Sequence, residues 1–74
     1  MATVRKFTVV PLNEARPLED VEAIVRLVDC ESERLIQIDT YDPPTREKLG
    51  KLSQTIRLDK AAFEKLAEIG SKHF

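Results

Sequence analysis

Between Leu52 and Ile69 the hydrophobic period of the chain changes, and it changes at one residue. Up to Leu58 the apolar side chains take alternate positions: Ile56 and Leu58 are flanked by Thr55 and Arg57, the pattern of an extended strand with one face against an apolar layer. From Lys60 the spacing is helical, with Ala62, Phe63, Leu66 and Ile69 on one stripe. Asp59 stands at the switch and suits an N-cap, because its carboxylate can accept from the free N–H groups of the first turn. Gly70 suits the C′ position that stops a helix, so a helix is expected from Lys60 to about Ile69. A strand running directly into an amphipathic helix needs further strands to make a sheet for that helix to cover.

The rest of the chain supplies them. Residues 4–10 (VRKFTVV) are rich in β-branched and aromatic types and stop at Pro11, which has no N–H for a ladder. Residues 11–20 (PLNEARPLED) carry two prolines and read as an irregular crossing. Residues 21–30 (VEAIVRLVDC) are apolar on both parities, as in a strand covered on both sides, with a short buried helix as the competing reading. "ESER" is a turn. Residues 35–41 (LIQIDTY) resume alternation, with Ile36 and Ile38 inward and Gln37, Asp39 and Tyr41 outward, so strands two and three form a hairpin. Residues 42–50 (DPPTREKLG) form a polar loop, and strand four follows over 52–58. The expected fold is a single α+β domain over residues 1–74, a four-stranded antiparallel sheet followed by a C-terminal helix.

A chain of 74 residues leaves much of its surface in water unless a second subunit adds buried area. Phe63, Leu66 and Ile69 offer more apolar surface than one small sheet uses, and they are the expected homodimer interface. Twelve Lys and Arg against thirteen Asp and Glu leave the net charge at −1, which counts against a generally basic nucleic-acid glue but not against a local basic strip. The lone Cys30 cannot form an internal disulfide, no secretory leader follows Met1, and no apolar run is long enough to cross a bilayer. A cytoplasmic location without membrane association is the expectation.

Catalytic readings lack parts. His73 lies beyond the expected helix stop, where a frayed surface imidazole is the simpler reading than a base. Cys30 has no adjacent His or cation in sequence and reads as a buried or merely small residue. Asp29, Glu31 and Glu33 gather at the hairpin tip, where a solvated turn is the plain alternative to a divalent-cation contact, and one Cys with one His does not make a zinc site. No glycine-rich phosphate loop is present. No enzyme activity, cofactor, metal or small-molecule substrate is expected. What remains is a surface. If Ile36, Ile38, Ile56 and Leu58 face the helix, then Gln37, Asp39, Tyr41, Thr55 and Arg57 share the other side of the sheet, with Lys6 or Arg5 and Arg26 joining according to register. A ring among cations and amides suits single-stranded nucleic acid, whose bases stack on aromatics while phosphates meet Lys and Arg. A merely solvated face, tied by an Arg57–Asp39 pair, is the alternative. Arg46, Lys48 and Lys51 are the densest cations of the chain and could contact the sugar-phosphate backbone.

The order Ile36, Ile38, Tyr41, then a charged loop, then Ile56, Leu58, Asp59, Phe63 and Leu66 resembles the positive cofactor four family of transcriptional coactivators over about half of the chain. Three features differ from the family pattern: Thr55 stands where Gly is usual, Asp39 where Arg is usual, and the loop is less basic. The resemblance implies a homodimer with helices between subunits that binds single-stranded DNA or RNA without strong sequence preference, as a transcription or DNA-metabolism cofactor. A homodimeric protein-interaction module that binds no nucleic acid is the alternative from another class.

Overall fold

A computed structural model describes residues 1–42 and 50–74. It contains strands β1 (Ala2–Val4), β2 (Ala23–Cys30), β3 (Glu33–Tyr41) and β4 (Leu52–Leu58), and helix α1 (Lys60–His73), an α+β fold with one sheet and one helix. The strand order is β1-β4-β3-β2. β2 pairs with β3 and β3 with β4 antiparallel, whereas β1 pairs with β4 in parallel. The sheet is therefore mixed, which corrects the expectation of a wholly antiparallel one.

The same pairing explains why the first strand is short. Its register sets Ala2 opposite Ile56 and Val4 opposite Leu58, the last residue of β4. Beyond Leu58 the chain turns into the Asp59 cap, so nothing remains for residues 5–10 to pair with, and the β-prone stretch KFTVV runs on without regular secondary structure. Local propensity marked that segment as strand, but a ladder needs a neighbour. Residues 5–22 then cross from one edge of the sheet to the other, where β2 begins.

β2 and β3 are joined through Glu31 and Ser32, with Cys30 opposite Glu33 across the hairpin. Glu31 takes the left-handed backbone region at φ 56°. Between β3 and β4 the register slips after Thr40: Thr40 faces Gln54 and Tyr41 faces Leu52, leaving Ser53 without a partner. Such a bulge re-aims the residues that follow it.

Asp59 is the helix N-cap, its Oδ1 accepting from Ala62 N–H at 2.8 Å. Gly70 does not stop the helix. The helix continues to His73, and Phe74 N–H closes it on the Gly70 carbonyl at 3.0 Å. Lys72 and His73 in the last turn complement the helix dipole, and Glu68 pairs with Lys72 one turn on, which offsets the modest cost of an internal glycine. His73 is thus in the helix and not in a frayed end, with its ring edge-on to Phe74 at 5.5 Å.

The helix lies over β3 and β4, and Leu58 at the end of β4 and Ala62 in the helix are both nearly sealed from water. Its extensive contacts are with those two strands. β2 is a sheet edge, with Val25 and Leu27 open to solvent (Leu27 87% exposed), so the expectation of a strand covered on both faces is corrected. Cys30, at its end, is exposed as well. Phe63 and Leu66 are nearly half exposed, and between Phe63 and β2 runs an apolar groove of about 450 Å³ lined by Leu27, Ile36, Leu58 and Phe63.

Candidate nucleic-acid interface

Antiparallel register decides which side chains share the face away from the helix. Arg26 stands opposite Gln37, Gln37 opposite Arg57, and Asp39 opposite Thr55. Because direct cross-strand partners project to the same side of a sheet, these five residues form one surface, with Tyr41 at its lower end.

The centre of that surface is a carboxylate. Asp39 is 3% exposed, and it is the buried charged residue among the described residues. Its Oδ2 accepts from Arg26 Nε at 2.8 Å and its Oδ1 from Thr55 Oγ1 at 2.8 Å, while Gln37 Nε2 donates to both oxygens at 3.0 and 3.2 Å. Burial of an ion is costly unless its lone pairs are met, and here each oxygen has two donors. The Arg26 hydrogen bond first, and that of Thr55 next, hold the Asp39 carboxyl below the usual carboxylate range, against the opposing effect of burial.

Two chains of hydrogen bonds leave this centre. On one side Arg26 Nη2 donates to Tyr41 Oη at 3.2 Å, fixing the phenol. Arg26 is itself held further toward its charged form by Asp39 and then by Tyr41. On the other side Gln37, whose amide nitrogen is turned to Asp39, presents its Oε1 to Arg57 Nε at 2.8 Å. Arg57 has no carboxylate partner among the described residues, and its terminal nitrogens stand free of side-chain acceptors there. Asp39 therefore pairs with Arg26, not with Arg57 as the simple cross-strand alternative had it.

Arg26, Gln37, Tyr41 and Arg57 are thus brought together. Other candidate residues are placed elsewhere. Lys6 is exposed in the crossing segment, and the residue that reaches the sheet from there is its neighbour: Arg5 binds Glu33 through two hydrogen bonds at 2.6 and 3.0 Å and touches Asp59 at 3.3 Å. Lys51 is exposed at the neck of the β3–β4 connection, where its carbonyl accepts from Asp42 N–H at 2.7 Å. Arg46 and Lys48 lie outside the described residues. At the hairpin tip Asp29 pairs with Arg34 and Glu33 with Arg5.

Sequence reading placed Asp39 and Thr55 on this face, giving Asp39 only the alternative pairing with Arg57 and Thr55 no role. The signal was available, because both are positions that differ from the family pattern noted above, and they differ toward each other: the hydroxyl of one donates to the carboxylate of the other. The Arg5 clamp carried no such signal, since it depends on the parallel pairing of β1.

The fold and this face define an α+β domain whose one-layer sheet has one side under a helix and another side where a hydrogen-bonded polar cluster stands beside Ile24, Val28 and Leu35. Compared with protein-family models, with curated proteins and with solved structures, the chain matches none of them.

Proposed function

We propose that this protein is a non-enzymatic, homodimeric single-stranded nucleic-acid-binding protein whose ligand lies on the face of the sheet away from the helix. The observation that carries the reading is the set Arg26, Gln37, Tyr41 and Arg57, joined on one face of the sheet by hydrogen bonds through Asp39, with a phenol held at one end and at the other a guanidinium that has no carboxylate partner among the described residues. A base stacks on a ring whose orientation is already set at less entropic cost, and a free guanidinium edge suits a phosphate. The resemblance carried by Ile36, Ile38, Tyr41, Ile56, Leu58, Phe63 and Leu66 supports the same reading, and a role as transcription or DNA-metabolism cofactor rests on that resemblance alone.

The homodimer belongs to this proposal. Among the described residues the buried apolar side chains are Leu35, Leu58 and Ala62, while Leu27 and Phe63 line an open groove and Val25 and Leu66 are exposed as well. The chain exposes 7036 Å², against about 4,600 Å² for a compact monomer of this length. Half-buried Ile69 follows Phe63 and Leu66 along the helix and continues the surface available to a second copy.

The test is fluorescence anisotropy with labelled oligothymidylate and a duplex of the same length at several salt concentrations. Preference for the single strand and affinity that falls steeply with salt are expected. Tyr41→Ala should then lose roughly 1 to 3 kcal/mol of single-strand binding with little change in Tm. The open apolar groove favours a second reading, a dimeric protein-interaction module. Absence of oligonucleotide binding, with dimerisation intact, would replace the first reading by the second.

A further inference from the structure

Four hydrogen bonds converge on Asp39, an acid at the centre of a face assigned to a polyanion, and such a charge repels the proposed ligand unless it does something else. Resting on the nucleic-acid reading above, we propose that Asp39 is the positioning residue of this face: it takes Arg26 out of phosphate binding as its internal counter-ion and turns Gln37 so that Arg57 becomes the cation that meets phosphate.

The geometry carries each half of this division of labour. Arg26 gives its Nε to Asp39 at 2.8 Å and one terminal nitrogen to Tyr41 at 3.2 Å, so its charge is matched and its direction is fixed toward the ring. Gln37 has an amide with two distinct ends, and the buried carboxylate decides between them. A carboxylate only accepts, so Nε2 must face Asp39, and Oε1 is left to face Arg57. Had position 39 been a cation, the amide would turn over and present its NH₂ to Arg57, with no acceptor to orient the guanidinium. Thr55 supplies the remaining donor to Asp39 and has no further part in orienting the two arginines. Counter-ion release reads the assignment directly, because each phosphate neutralised on a single strand contributes about 0.7 to the slope of log K against log salt.

The experiment measures that slope by oligothymidylate anisotropy for the full chain and three variants, with circular dichroism to verify folding. Arg57→Gln is expected to flatten the slope by about 0.7. Asp39→Asn frees the Arg26 charge and is expected to steepen it by about the same amount. The double variant Arg26→Gln with Asp39→Asn removes both charges of the internal pair and is expected to restore the wild-type slope. A double variant flatter than wild type would make Arg26 a phosphate contact and overturn the assignment, as would an unchanged slope in folded Asp39→Asn. Should Asp39→Asn fail to fold, Arg57→Gln and the double variant still decide. Wild-type protein that binds no oligothymidylate removes the nucleic-acid reading and this assignment together, whereas salt-dependent binding with the wrong slopes removes the assignment alone.

Discussion

Glu31 holds a left-handed backbone at φ 56° in the two-residue connection of the β2–β3 hairpin, where an L side chain crowds the following carbonyl. Glycine meets no such crowding, so Glu31→Gly is expected to leave the fold unchanged and raise stability by up to about 1 kcal/mol, read as a shift in the urea midpoint. Asp59 is the opposite case, a residue already suited to its place: Asp59→Ala removes the cap on Ala62 N–H and should cost about 1 kcal/mol. Asp39, Glu33 and Glu68 all have their carboxyl groups held below the ordinary range, by Arg26, Arg5 and Lys72 respectively. A carboxyl whose folded-state pKa is depressed stabilises the fold above its unfolded-state value and loses that contribution as pH falls through the folded-state value. Tm is therefore expected to be flat from neutral pH down to about 5 and to fall below about pH 4, and Asp39→Asn should show a shallower fall than wild type.

At the scale of elements, the helix runs through the glycine that was expected to end it. A Cβ on Gly70 would meet only the Phe74 ring, at 3.8 Å, an ordinary contact. Gly70→Ala should accordingly stabilise the helix by about 0.5 to 1 kcal/mol without altering its length, measurable by thermal denaturation. The strands show what alternation can and cannot reveal. Leu52–Leu58 has the bounds that its pattern implied, and β3 gains only Glu33 and Arg34 at its start, because each of these strands has a partner strand along nearly all of its length. Residues 4–10 have an equally β-like composition but form a strand only through Val4. Propensity describes one segment at a time, while hydrogen-bonded pairing is a property of two.

The whole molecule has a sheet of four strands and a helix that spans only part of it. Leu27 on the edge strand and Phe63 on the helix line the groove that is left open, and Val25 and Leu66 are exposed as well. A second copy that covers this region is expected to give a dimer in sedimentation velocity at micromolar concentration. Phe63→Glu together with Leu66→Glu should shift the species to monomer and lower Tm, since the charges would be buried without partners. Sedimentation of the wild type as a monomer would argue against any dimeric reading, including the one offered for nucleic acid.

What could be read from the amino acids alone was whatever depends on near neighbours: the two-residue period of β3 and β4, the change of period at Asp59, the cap itself, and the sidedness that put Gln37, Asp39, Tyr41, Thr55 and Arg57 together. These follow from backbone geometry over two to four residues, which any stretch of sequence displays. Tertiary structure alone decided that β1 runs parallel to β4, that β2 is an edge, and that Arg26 and not Arg57 answers Asp39. Each of those depends on which distant segment lies alongside, as with Arg5 and Asp59, 54 positions apart. The choice among such pairings is made by how the whole set of strands and the helix can bury Leu35, Leu58 and Ala62 while satisfying one buried carboxylate. No period in the sequence encodes that sum.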